Sequence, residues 1–184
     1  MNIRRLAPSD APAFRASRLA ALLDTPEAFA VSHVEEENLP LAWFEERLAE
    51  RAGQAVFGAF DGDTLVGILG LARGSLLQAA HKGEVWGMYV APAARGRGVA
   101  GRLMQAALAH ARATPGIAKV TLSADAANLP ALHLYESLGF VEYGREVDAT
   151  RLHGESRDEV LMHLRFAGVP ADTTATPSLA KRPD

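Results

Sequence analysis

Between Val90 and Gly101 the chain reads VAPAARGRGVAG, and these residue types at this spacing are those of an anion-binding turn. A strand-like apolar run ending in Met88, Tyr89 and Val90 gives way to a short Pro/Ala turn, and glycines then open a helical pattern. At a helix start the first backbone N–H groups lack partners and the macrodipole is positive. Gly96 and Gly98 carry no side chain to hold a ligand away from those donors. Ala100 and Gly101 keep the first turn slim, and Arg95 and Arg97 add charge suited to phosphate oxygens. The construction fits a pyrophosphate; the competing interpretation is a tight turn with two solvated arginines. Two better-known phosphate loops do not fit. GxxxxGK[ST] is absent, and Gly96-x-Gly98 is followed by Ala100 and Gly101 where a dinucleotide fingerprint needs a glycine three positions on.

The elements that must position this turn follow from periodicity. A short strand, Asn2–Leu6, precedes a helix capped by Ser9 or Asp10 with Pro12 in its first turn. Leu41–Arg51 is a second helix. Gln54–Phe60 and Thr64–Ala72 form a hairpin across Asp61-Gly62, and Lys82–Val90 continues the meander. Val99–Ala113 is an amphipathic helix, Lys119–Ser123 a strand, and Pro130–Leu138 a helix stopped by Gly139. Phe140–Val147 and Glu159–Phe166 close the order β-α-α-β-β-β-α-β-α-β-β. A strand–helix–strand crossover after a meander implies an α/β fold with a mixed, mostly antiparallel sheet flanked by helices.

The whole-chain arithmetic agrees. One domain is the default for 184 residues, and 48% hydrophobic content supports a sizeable core. The domain is expected over 1–166, with 167–184, rich in Pro, Ala and Thr, as a disordered tail. A formal charge of −3 speaks against a nucleic-acid surface. Zero cysteines exclude disulfide scaffolds, Cys-ligated zinc and a thiol nucleophile, and no metal site is expected. No apolar run approaches about 20 residues and no signal-peptide pattern is present, so a cytoplasmic protein without a membrane partner is expected.

Arg95-Gly96-Arg97-Gly98-Val99-Ala100 resembles the Arg/Gln-x-x-Gly-x-Gly/Ala motif of the GCN5-related N-acetyltransferases (GNAT). Trp86–Pro92 looks like that family's fourth strand. Asn128-Leu129-Pro130-Ala131-Leu132-His133-Leu134-Tyr135-Glu136-Ser137-Leu138-Gly139-Phe140 is similar to its Asn-x-x-Ala-x-x-Leu-Tyr-x-x-x-Gly-Phe signature. The resemblance covers the element order from residue 1 to about 166 and implies a sheet splayed into a V at its fourth and fifth strands.

It further implies acetyl-CoA as co-substrate. The pantetheine arm would pair with the backbone at Met88, Tyr89 and Val90, and the pyrophosphate would rest on Arg95, Gly96, Arg97, Gly98, Val99, Ala100 and Gly101. Asn128 would help hold the pantetheine arm, with a helix N-cap as its other role. Tyr135 would stand near the thioester sulfur, where a phenol can protonate a departing thiolate; otherwise it packs its helix on the sheet. Glu84, expected on the same strand face as Trp86 and Met88, is the candidate base, against a solvated strand end. His81 and His133 rank behind it. The stretch Asp24–Pro40 would wall the acceptor site, and Glu35-Glu36-Glu37, its most charged part, would attract a cationic amine or simply be solvated. The expected function is acetyl transfer from acetyl-CoA to a primary amine by direct attack. A catalytically silent acyl-CoA sensor and a nucleotide-phosphate-binding domain are the alternatives, and a homodimer is left open.

Overall fold

The structure, a computed structural model, describes residues 1–51 and 53–167. The expectation of a disordered tail falls, from residue 168 on, outside them. Seven strands form one sheet: β1 (Asn2–Arg5), β2 (Gln54–Asp61), β3 (Thr64–Arg73), β4 (Lys82–Val90), β5 (Lys119–Asp125), β6 (Val141–Leu152) and β7 (Glu155–Arg165). Their order across the sheet is β1-β2-β3-β4-β5-β7-β6. Every neighbouring pair is antiparallel except β4 and β5. The helices are α1 (Ala11–Asp24), α2 (His33–Glu36), α3 (Leu41–Leu48), α4 (Val99–Ala113) and α5 (Leu129–Ser137).

Both faces of the central strands are covered, which is why β2 and β3 read as nearly continuous apolar runs. Ala55, Phe57, Leu69 and Leu71 face a core built with Leu103, Met104 and Ala107 of α4. Val56, Phe60 and Ile68 face a second core with Phe14 of α1 and Phe44 of α3. No helix among the described residues is long and apolar enough to cross a membrane.

Several expectations are corrected. The short α2 was not anticipated; one turn held by a capping box between Ser32 and Glu35 leaves little hydrophobic periodicity to detect. Asp10 is the N-cap of α1, as expected, but it does not cap the helix by a side-chain hydrogen bond. Asp10 instead accepts two bonds from Arg4 and one from the Ala7 N–H. The closing hairpin is longer than expected. β6 runs on to Leu152 and β7 starts at Glu155, across a turn in which His153 and Gly154 both have positive φ. None of its extra length is buried, so no burial pattern marks it in the sequence.

Candidate active site

The opening of the sheet has a backbone cause. β4 and β5 pair only at Lys82↔Lys119, Gly83↔Val120 and Glu84↔Thr121, although both strands continue. Beyond Glu84, β4 carries a bulge: its register with β3 shifts between Ile68 and Gly70, and Gly87 has φ +64°. One extra residue reverses the alternation of side chains. Val85 packs on the α4 side and Trp86 on the α1–α3 side; after the bulge Met88 and Val90 return to the α4 side and Tyr89 to the other. The expectation that Glu84, Trp86 and Met88 share one face is therefore corrected at Met88.

The divergence leaves an open cleft of about 480 Å³. Met88, Tyr89, Val90, Arg95, Ala100, Asn128 and Tyr135 line it, which brings together seven of the residues singled out in the sequence. Beside them stand Thr25, Glu27 and Ala28, from the stretch after α1 expected to wall the acceptor site, and two residues that sequence reasoning missed, Asp125 on β5 and Arg157 on β7. No motif surrounds Asp125 or Arg157; only the packing of distant segments brings them to the cleft.

Gly96 and Gly98 both have φ +71°, and a Cβ built on either would meet nothing within 4 Å. Gly98 is the N-cap of α4 and no side chain caps the helix. The first-turn N–H groups thus face open space past two positions that only glycine occupies without strain, which fits a pyrophosphate. Val99 is buried in the core and Gly101 lies against α5, within 3.6 Å of Leu134 from its Cβ position, so both shape the turn from behind. Arg95 is tied down, donating from Nε to the Val90 carbonyl at 3.0 Å and pairing with Asp24. Arg97 pairs with Asp61 at 2.9 Å, both half-exposed, a contact weak enough to exchange for a phosphate.

On α5, Asn128 is the N-cap and its Oδ1 accepts the Ala131 N–H at 3.2 Å. The cap role is real, and the amide still lines the cleft. Tyr135 is buried against Phe140, with ring centroids 6.1 Å apart. Burial pushes its phenol pKa up to about 12, so the hydroxyl keeps its proton at neutral pH. Gly139, at φ +90°, ends the helix and turns the chain into Phe140.

The carboxylates divide sharply. Glu84 is exposed at the closed end of the V and does not line the cleft. Asp125 lines it but is committed, accepting from Arg157 Nε and from the Ala127 N–H at 2.7 Å. Glu27 lines it half-buried, with no hydrogen-bond partner among the described residues. Arg157 feels its charge, which adds to the upward shift that the Asp125 hydrogen bond gives this guanidinium. The acidic run is not simply solvated either, since Glu36 is buried in a bidentate pair with Arg18.

Residues 18–140 match the profile of the Acetyltransferase (GNAT) family, and the chain belongs to that family. A mycothiol acetyltransferase of Gordonia bronchialis is 38% identical over 119 residues, spanning 61% of this chain and 38% of that protein. The chain spans about two fifths of the length of such curated relatives. A GNAT-family acetyltransferase from Streptococcus pneumoniae superposes with a TM-score of 0.83 at 22% identity, over 90% of this chain and 99% of its own. A putative acetyltransferase from Salmonella typhimurium, solved with its cofactor acetyl-CoA, gives 0.76 at 23% identity, over 97% and 98%.

Proposed function

We propose that the domain transfers the acetyl group of acetyl-CoA to a primary amine by direct attack, with Tyr135 as proton donor and Glu27 as proton acceptor. The observation that carries this reading is the meeting, in one cleft, of a buried protonated phenol and an unpaired carboxylate where β4 and β5 part. The amine nitrogen attacks the thioester carbonyl carbon, a C–N bond forms and the C–S bond breaks. Tyr135 gives its proton to the departing sulfur, and Glu27 takes the proton shed by nitrogen. Backbone N–H groups at the β4 bulge, around Met88–Val90, are the donors available to the carbonyl oxygen. Asn128 and the β4 backbone hold the pantetheine arm, and the uncapped start of α4 with Gly96, Gly98 and a released Arg97 holds the pyrophosphate. Juxtaposition of amine and thioester contributes a large part of the acceleration.

The test is release of free thiol from acetyl-CoA with a panel of amines: amino acids, peptides, polyamines and the acceptor used by mycothiol acetyltransferases. With an acceptor in hand, Tyr135→Phe should lower kcat by roughly 10- to 10⁴-fold while acetyl-CoA affinity, read by calorimetry, moves much less. Glu27→Gln should lower kcat by about 10²-fold. Acetyl-CoA binding without thiol release for any amine would favour the silent-sensor reading. Unchanged turnover in Tyr135→Phe, with chemistry shown to limit the rate, would remove the acid role.

A further inference from the structure

We propose that the face of β4 opposite α4 binds a carboxylate of the acceptor through Arg47, so that the amine acetylated belongs to an amino acid or to another amine that carries a carboxylate. This rests on the acetyltransferase reading above and narrows its acceptor. Three charged side chains meet on that face. Arg18 of α1 donates from Nε and Nη2 to the two oxygens of Glu36 at 2.9 and 3.0 Å, and both side chains are about 95% buried. Arg47 of α3 lies close enough to feel both charges. It has no hydrogen bond or ion pair through its guanidinium among the described residues. With Glu36 already held on both oxygens, two guanidiniums share one carboxylate, and the cluster is one anion short.

The unpaired guanidinium is held firmly. Its carbon stands 4.1 Å from the Trp43 ring centre and 4.9 Å from that of Trp86. Indole faces stabilise the cation without supplying a hydrogen-bond acceptor, so the fork of N–H donors stays unused. Trp86 is itself seated by sequence: a Cβ at Gly70 on β3 would stand 2.0 Å from the indole, so only glycine leaves the ring its place. Burial lowers the Arg47 pKa, with Glu36 opposing that shift and Arg18 adding to it. A planar carboxylate matches one guanidinium fork in shape and charge.

The position suits the reaction. Trp86 immediately precedes the bulge, and the nearest atom to a Cβ position at Gly87 is Arg18 Nη1, at 3.4 Å. Phe29, under the Arg18 guanidinium at 4.7 Å, lies one residue beyond Ala28 of the cleft wall. An acceptor anchored at Arg47 would extend along β4, past Gly87, towards the cleft that Met88, Tyr89 and Glu27 line.

Trp43 and Trp86 are the chain's two tryptophans, so intrinsic fluorescence reports on this site directly. The experiment titrates the protein, without acetyl-CoA, with non-aromatic L-amino acids, short peptides, their C-terminal amides and an aminoalkyl phosphate. Binding of acetyl-CoA is measured separately by calorimetry. The proposal expects a saturable emission change with one or more of the acids and none with the matched amides. Arg47→Gln should weaken that binding at least about tenfold, as loss of a charge-assisted contact implies, and leave acetyl-CoA affinity unchanged. Arg47→Lys, which keeps the charge and loses the fork, should fall between, and it replaces the glutamine variant if that one fails to fold. Amides binding as well as acids, tighter binding of the phosphate, undiminished binding in the Arg47 variants, or no response to any acid would each overturn it. Failure of acetyl-CoA to bind would instead sink the acetyltransferase reading and leave the carboxylate result standing.

Discussion

On the α4 side of β4, the groups proposed to meet a phosphate belong to the backbone: two left-handed glycines and the uncapped first turn of a helix. On the α1–α3 side the groups proposed to meet a carboxylate are side chains brought from four elements: Arg18 from α1, Glu36 from α2, Arg47 and Trp43 from α3, and Trp86 from β4. A backbone site is made within a dozen consecutive residues and tolerates many side chains around it. A side-chain site depends on packing across the fold and can be retuned by single substitutions. On the proposed function, the contrast separates the part of the molecule that would hold acetyl-CoA from the part that would specify an acceptor.

Substitutions sharpen that contrast. The largest effect is expected at Glu36. Glu36→Gln leaves Arg18 buried with its charge uncompensated and should destabilise the domain by about 3–5 kcal/mol, visible as a lower denaturation midpoint. A change below about 1 kcal/mol would show that water reaches the pair and that the α1–α3 face is not a packed side-chain site.

Next comes Tyr135, the proposed proton donor. The phenol of Tyr135 titrates near 10 when unfolded and near 12 when folded, so the folded state holds this proton more tightly. Its contribution is fully present below pH about 10 and is lost as pH rises towards 12, by about 2–3 kcal/mol. Tyr135→Phe should therefore flatten the fall in stability across that window. An identical slope in both proteins would mean that the hydroxyl is not desolvated.

Gly98→Glu tests the backbone side. A carboxylate at the positive end of α4 takes the place intended for phosphate and should weaken acetyl-CoA binding about tenfold or more. The fold should survive, since the added side chain meets open space, at a cost of about 1–2 kcal/mol for a left-handed non-glycine residue. Unchanged affinity in the folded variant would break the comparison. The smallest effect is expected for Glu84→Gln. An exposed residue at the closed end of the V should change kcat by less than about twofold, within the range of ordinary surface substitutions. A loss comparable to that of Glu27→Gln would return the base role to Glu84.

What the sequence by itself determined is local. Val99–Ala113 and Lys82–Val90 match their elements at both ends, because periodicity, a glycine N-cap and a following strand break are written in neighbouring residues. The same holds for the start of α4, whose donors are backbone groups placed by Gly96 and Gly98, and for the Asn128–Phe140 signature with its cap and its stop at Gly139. Only the tertiary structure decided which carboxylate faces the cleft. Glu27 and Tyr135 are far apart in the chain and meet because β5 leaves β4 after Glu84. It also decided which way Met88 points, since one additional residue at the Gly87 bulge inverts an alternation that spacing alone predicts to continue. And it turned Glu36 from one of three adjacent acids into the buried partner of Arg18, 18 residues away, because the charge of a side chain is read locally while its desolvation depends on what the rest of the fold packs against it.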